Sequence, residues 1–286
     1  MAFLGLIFNA LVWGLSWWPF RQFQAAGLHP LWATVCFYTL SWLVILIVRR
    51  QAWRELLATP SLWVIMVAAG TTNTFFNWGV ATGDVVRVVL LFYLMPLWAV
   101  LLARLILGEH LTRLALLRMA LALGGAAAVL APTGGGLPLP SSLSDWLGVL
   151  GGMAFALNNV MLRREAGRSP EARALAMFSG GVLVSAFAAT LMAGQGLAPW
   201  PALASPAWLL PLAGMALLFF LSNLSLQYGA ARLPANITAI VMLCEVPFAA
   251  ISSLAWGSGT LGLRTAVGGL CIVGAALLAA LEKRQG

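Results

Sequence analysis

The chain has 286 residues, of which 62% are hydrophobic and only 8% are charged, and its mean hydropathy is +0.94. A soluble domain carries roughly 25% charged residues, so this composition excludes a water-soluble globular fold and indicates a membrane protein. The formal charge of +8 does not indicate nucleic-acid binding, because the arginines are scattered along the chain at the ends of apolar runs.

Apolar runs of about 20 residues, the length that spans a bilayer, follow one another along the chain. We predict five spanning helices in the first half, at 3–25, 31–49, 61–82, 86–107 and 112–131. Five more are predicted in the second half, at 146–164, 172–194, 208–230, 234–257 and 261–281. An uncharged segment rich in Gly, Pro and Ser, 133–144, is predicted to link a first repeat, 1–132, to a second, 145–286.

The start of the chain has no basic segment and no cleavage site, so it is interpreted as a retained first helix rather than a signal peptide. Cys36, Cys244 and Cys271 lie within apolar runs, and none pairs at a metal-ligand spacing. The sequence therefore predicts no disulfide, no metal site and no cofactor.

The placement of Arg and Lys predicts the orientation. With a cytoplasmic N-terminus and ten helices, twelve cations fall in cytoplasmic segments; Arg21, Arg87 and Arg264 fall outside, and Arg118 lies within a helix. This positive-inside bias favours a topology in which both termini are cytoplasmic. Because five is odd, two tandem five-helix units must enter the membrane in opposite senses. The predicted fold class is an all-α integral membrane protein with ten transmembrane helices, built as two inverted five-helix repeats.

A polar motif within apolar helices recurs at matched positions of the two halves. Asn73, Asn77, Trp78 and Gly79 are repeated 150 residues later as Asn223, Gln227, Tyr228 and Gly229. Pro96 and Arg113 are repeated 151 residues later as Pro247 and Arg264. Because amides inside apolar helices are costly, their repetition indicates a substrate cavity where the two halves meet.

The segment from Pro96 to Leu130, in which Gly108-Glu109-His110-Leu111-Thr112 precedes a Gly- and Ala-rich helix, resembles the EamA-type repeat of the drug/metabolite transporter superfamily. The resemblance covers nearly the whole chain in two repeats. The second copy has Gly259-Thr260 where the first has Gly-Glu, so Glu109 is interpreted as a residue of a helix joint. Length, Trp content and the opening segment WGLSWWPF are most similar to YddG-type exporters. This resemblance implies a multi-pass protein of the bacterial inner membrane that exports aromatic amino acids and methyl viologen.

Polar and aromatic side chains near the middle of the predicted helices are the candidates for substrate contact. They are Trp13, Trp17, Asn73, Asn77, Trp78, Tyr93, Trp98, Asn158, Asn223, Gln227, Tyr228 and Glu245. Indole and phenol rings hold an aromatic ring or an organic cation, and amides satisfy an ammonium and a carboxylate. Phosphorylated substrates are disfavoured, because no basic cluster lies at the midplane. Prolines 19, 96 and 247 are predicted kinks or hinges.

Several alternatives stay open from the residues alone. The amides either line a cavity or bridge neighbouring helices. Glu245 either binds a substrate amine or couples protons, or it is a neutral acid bonded to a neighbouring helix. The leading hypothesis is export of aromatic amino acids by alternating access, with cationic aromatic drugs or other small amino acids and metabolites as alternative cargo. The expected partners are this substrate and the lipid bilayer, without nucleic acid, and the chain is expected to be a monomer or a weak dimer.

Two other classes of function compete with transport. An enzyme is disfavoured, since the chain has only His29 and His110 and no credible nucleophile and base pair. A purely structural subunit does not account for the repeated polar motif.

Overall fold

The computed structural model describes residues 1–108, 112–131, 139–201, 209–230, 241–242, 244–256 and 261–281. Within these residues the longer regular elements are all α-helices: α1 (Ala2–Leu15), α2 (Trp17–Ala25), α3 (Pro30–Val48), α4 (Arg50–Ala58), α5 (Pro60–Thr82), α6 (Val85–Phe92), α7 (Met95–Leu107), α8 (Arg113–Leu130), α9 (Leu143–Arg164), α10 (Pro170–Gly194), α11 (Leu209–Ala230), α12 (Glu245–Ala255) and α13 (Leu263–Leu281). The predicted helix joint at Glu109, the first half of the predicted linker and the first part of the predicted ninth helix lie outside the described residues.

Several stretches of helix are long and apolar enough to cross a membrane. Among the described residues there are six, namely Ala2–Ala25, Pro30–Val48, Val85–Leu107, Arg113–Leu130, Pro170–Gly194 and Leu209–Leu226, and α4 with α5 makes a seventh if that bent pair is one span. The chain is therefore a multi-pass membrane protein, and its described residues form an all-helical fold. The number of ten spans and the cytoplasmic position of both termini stay predictions.

The helical hydrogen bonding is interrupted within two of these stretches, Ala2–Ala25 and Val85–Leu107, and a third break lies just before α12. The first break is at Ser16, between α1 and α2, and the second is at Tyr93 and Leu94, between α6 and α7. The prolines predicted as hinges, Pro19, Pro96 and Pro247, all lie within the first three residues of the helix that follows a break. Proline is tolerated in a first helical turn because the N–H it lacks has no partner there.

The interior of the fold is centred on α6. Every residue of Val85–Phe92 is buried except Arg87, which explains why this helix is apolar around its whole circumference. Around this core, α5 packs against α9 and α10, α1 against α11 and α12, α3 against α10 and α11, and α8 against α13. In two of these pairs the backbones approach closely at glycines, Gly70 with Gly180 and Gly125 with Gly268.

The short helix α4 was not predicted from the sequence. Its axis is bent by 104° from that of α5, with Thr59 in an extended conformation before Pro60. An extended residue before proline is favoured, because the proline ring disfavours the helical conformation there. The indole N–H of Trp63, in the first turn of α5, donates to the carbonyl oxygen of Leu56 in α4 at 2.9 Å. This hydrogen bond ties the two helices together across the bend.

Candidate functional site

The breaks before α7 and α12 meet in the interior, where Tyr93 and Glu245 are in contact. The Tyr93 hydroxyl donates to the Glu245 carboxylate oxygen Oε2 at 3.2 Å and lies 3.4 Å from the carbonyl oxygen of Met242. Both side chains are buried, and no described cation lies within ion-pair distance of Glu245. A carboxyl group this deep in an apolar interior is costly to ionise, so it is available to bind a cation or a proton.

Trp17 connects the second half of the broken first helix to α12. Its ring is almost fully buried, and its Nε1 donates to the Ser252 hydroxyl at 3.0 Å. The ring of Trp256, at the end of α12, lies 5.9 Å away, and the guanidinium of Arg21 lies over the Trp17 ring at 5.3 Å. The indole is therefore held on its edge by a hydrogen bond and on its face by a cation–π contact.

Trp13 belongs to a row of aromatic rings that crosses the interior. Its ring meets the edge of Phe219 in α11 at 4.9 Å and that of Phe76 in α5 at 6.1 Å. Phe76 in turn meets Phe92 in α6 at 4.8 Å. Edge-to-face pairs of this kind are favourable, and they give this part of the interior an aromatic lining.

The two amides of α5 bond to α3. Asn73 Oδ1 accepts from the Tyr38 hydroxyl at 2.6 Å, and Asn77 Nδ2 donates to the Thr34 hydroxyl at 3.1 Å. In this conformation both amides thus bridge neighbouring helices, which is the alternative to cavity lining. In the second half, Asn223 donates to the carbonyl oxygen of Phe219 in its own helix at 2.9 Å, and the side chain of Gln227 lies outside the description.

Two further candidates contribute polar atoms that lack partners. Trp98 Nε1 in α7 and Asn158 Oδ1 in α9 are buried without a hydrogen-bond partner in the described part of the chain. The two helices pack against each other. One atom is a donor and the other an acceptor, so an amphiphilic solute with both kinds of group is able to satisfy them.

The remaining two candidates lie apart from this group. Tyr228 is 44% exposed. Trp78 makes an edge contact with His29 at 5.6 Å and lines a cavity of about 660 Å³ between the ends of α5 and α10 and the start of α9. The cavity lining is largely apolar: Gln24, His29, Phe75, Trp78, Thr82, Leu143, Trp146, Leu147, Leu150, Met192, Gln195 and Leu197.

Sequence reasoning missed Asn9, a fully buried amide in α1. Its Nδ2 donates to the carbonyl oxygen of Ser222 at 2.9 Å and to the Ser222 hydroxyl at 2.6 Å, so it joins α1 to α11. The signal that marked Asn73, an amide inside an apolar run, was also present at Asn9. It was overlooked because Asn9 has no counterpart in the second half.

An ion pair, also missed, connects the start of α6 to the start of α9. Arg87 donates two hydrogen bonds to Asp145, at 2.6 and 2.9 Å, and a third to the carbonyl oxygen of Val129 near the end of α8 at 3.0 Å. Asp145 also accepts from the backbone N–H groups of Ser141 and Ser142, as part of a capping box at the start of α9. This bidentate pair fixes α9 against the end of the preceding half.

Comparisons with known proteins give a family match over part of the chain and a structural match over nearly all of it. Residues 1–131 match the model of the EamA-like transporter family. A solved crystal structure has a TM-score of 0.60 and 18% sequence identity, over 99% of this chain and 97% of the other. At this identity the similarity shows the fold alone. No curated protein matches the chain at a significant level.

Proposed function

We propose that the chain exports aromatic amino acids and related aromatic compounds across the bacterial inner membrane by alternating access. The site lies at the breaks before α7 and α12, where the hydrogen bond between Tyr93 and Glu245 is the observation that carries the proposal. Interrupted helices that meet in the interior place polar groups and helix termini beside a solute without exposing them to lipid.

The helix pairing supports a ten-helix architecture of two inverted repeats, 1–132 and 145–286, joined by 133–144, with both termini cytoplasmic. In the two repeats α1 corresponds to α9, α3 to α10, and α5 to α11. The contact of α5 with α9 therefore has a counterpart in the contact of α11 with α1, and the contact of α5 with α10 has one in the contact of α11 with α3. The last helices of the two repeats, α8 and α13, correspond to each other and are in contact with each other. A pseudo-two-fold axis has this effect on helix contacts.

The chemistry of the site supports an aromatic cargo. Trp13, Trp17 and Phe76 give the interior an aromatic character, while Asn158 Oδ1 and Trp98 Nε1 offer an acceptor to an ammonium group and a donor to a carboxylate. Cationic aromatic drugs are the second candidate, because Glu245 is a buried acid without a described cationic partner.

Uptake into proteoliposomes tests the proposal with radiolabelled phenylalanine, tryptophan, threonine and methyl viologen. We expect the aromatic amino acids to enter faster than into empty vesicles and threonine to enter slowly. Faster uptake of methyl viologen alone favours the drug cargo. The proposal fails if none of the four moves faster than into empty vesicles.

Glu245→Gln under an imposed pH gradient tests whether the buried acid couples transport to protons. Glutamine keeps the size of the side chain and an acceptor for Tyr93 but cannot titrate. We expect the variant to lose any dependence of transport on the gradient. The control is Glu171→Gln, which neutralises a half-exposed acid at the membrane surface. Unchanged gradient dependence in Glu245→Gln removes this residue from the coupling role.

A further inference from the structure

One face of α4 is fixed to the body of the protein. Ala52 and Leu56 are buried, and the Glu55 carboxylate accepts hydrogen bonds from the Ser169 hydroxyl at 2.5 Å and the Ser169 backbone N–H at 3.1 Å. With the bond from Trp63 to Leu56, these contacts hold α4 across the ends of the neighbouring helices, bent by 104° from α5. A helix that leaves the spanning direction at the end of a span lies along the surface of the bilayer.

The opposite face of α4 combines two kinds of exposed side chain. Trp53 is 40% exposed and Leu57 is 52% exposed, and their spacing of four residues places them side by side. Arg50 and Arg54 are exposed and have the same spacing. Basic residues beside exposed aromatic and aliphatic ones are typical of helices that lie in the membrane interface.

Among the described residues, the cations around α4 outnumber the acids that pair with them. The three described acids of this region are engaged: Glu55 with Ser169, Glu171 with Arg49 at 3.7 Å, and Glu165 with Arg164 at 3.8 Å and Arg168 at 3.5 Å. Neither Arg50 nor Arg54 has an ion-pair partner among the described residues. Within the described part of the chain, these two exposed guanidinium groups are therefore available to bind an anion from the surroundings.

We propose that α4 is an interfacial anchor, in which Arg50 and Arg54 bind the phosphate groups of anionic phospholipids while Trp53 and Leu57 enter the boundary of the acyl chains. Guanidinium groups bind phosphate oxygens in a bidentate manner, and anionic leaflets attract basic segments next to spanning helices. Because α4 is tethered to α3 and α5, it needs no independent affinity for the membrane. The proposal requires only that the chain spans a membrane, and it holds whatever the cargo.

Lipid competition on the purified full chain, followed by native mass spectrometry, tests the anchor. Phosphatidylglycerol and phosphatidylcholine with the same acyl chains compete for the protein. We expect Arg50→Gln/Arg54→Gln to lower the preference for phosphatidylglycerol about 25-fold, since each arginine near an anionic surface contributes about a factor of five. The matched control, Arg164→Gln/Arg168→Gln, removes two charges that already pair with an acid and is expected to change the preference less than about threefold.

Two outcomes overturn the proposal. One is an equal loss of preference in the two double variants, which would indicate diffuse attraction rather than binding at α4. The other is displacement of phosphatidylglycerol by inorganic phosphate at the same concentration of phosphate groups, which would assign the arginines to a soluble anion.

Spin labels measure the depth of α4 independently of lipid affinity. Leu57→Cys and Gln51→Cys are labelled in a chain whose native cysteines are replaced by alanine. Both positions are exposed, but they lie about 120° apart around the helix. We expect the label at 57 to collide more with oxygen, which concentrates in lipid, and the label at 51 to collide more with a water-soluble nickel chelate. Equal accessibility at the two positions contradicts the anchor.

Discussion

Gly180→Ala tests the close contact between α5 and α10. A β-carbon at this position would collide with the carbonyl oxygen of Met66 and lie 2.8 Å from its carbonyl carbon and 2.9 Å from the backbone nitrogen of Gly70. These neighbours are backbone atoms, so they yield only if the helices move apart. Overpacking of this kind costs about 1–3 kcal/mol, whereas alanine gains up to about 1 kcal/mol over glycine in helix propensity. We therefore expect a net loss of about 1–2 kcal/mol in the free energy of unfolding.

Thermal unfolding of the purified chain in detergent, followed by tryptophan fluorescence, measures this loss. For a chain of this size we expect the melting temperature to fall by about 2–6 °C. The matched control is Gly124→Ala in α8, where an added β-carbon meets nothing within 4 Å. This variant keeps the gain in propensity without the collision, so its melting temperature should stay equal or rise. The reasoning is refuted if Gly180→Ala is as stable as Gly124→Ala.

Three further predictions concern other contacts. Asp145→Asn removes the charged partner of Arg87 and leaves the Arg87 guanidinium half-buried without it, so the free energy of unfolding should fall by about 2–4 kcal/mol. A melting temperature equal to that of the original chain contradicts this. Trp17→Phe keeps the ring but loses the N–H donor, so proteoliposome uptake of tryptophan should slow about tenfold. Trp18→Phe, at an exposed position, should have no effect on uptake, and equal rates in the two variants would refute a role for the donor. The hydrogen bond from the Ser169 hydroxyl, at the N-cap of α10, lowers the pKa of Glu55 in the folded protein below its ordinary value of 4.5. The stabilising effect of this carboxylate should therefore be present above pH 4.5, and it should be lost as the pH falls through the lower pKa of the folded state. Melting scans from pH 3 to 7 should show a smaller acid destabilisation in Glu55→Gln, and an identical pH profile would exclude the effect.

The starts of several helices were predictable because local chemistry determines them. The predicted spans 31–49 and 61–82 begin within one residue of the observed helices Pro30–Val48 and Pro60–Thr82. Proline at the first position of a helix is a signal in the sequence itself. The breaks next to Pro19 and Pro96 were likewise indicated by the missing N–H of each proline.

The helix α4 was not predictable from hydropathy. Its nine residues include Arg50, Arg54 and Glu55, which lower the mean hydropathy and make the segment resemble a loop. Only the positions of Ala52 and Leu56, four residues apart, indicate a buried face, and two residues are too few to predict a helix.

The contacts of the candidate site could not be predicted from residue type. Trp17 and Ser252 are separated by 235 positions in the sequence, and Tyr93 and Glu245 by 152. The sequence indicated that Trp17, Tyr93 and Glu245 are unusual at their depth, but their partners depend on how the helices pack. Asn73 and Asn77 illustrate the same point. An amide inside an apolar helix is expected both for a residue that lines a cavity and for one that bonds to a neighbouring helix, and the structure has the bonds to α3.

The glycine contact between α5 and α10 restricts how the protein can move. Gly70 and Gly180 each lie near the middle of their helix, and their backbones touch there. While this contact persists, α5 and α10 cannot slide past each other or separate as a whole, and they can only tilt about the point of contact. Tilting moves the two ends of a helix in opposite directions, so opening the space between these helices on one side of the membrane closes it on the other. Under the alternating-access mechanism proposed above, a pair of residues without side chains would in this way couple the opening of one side to the closing of the other.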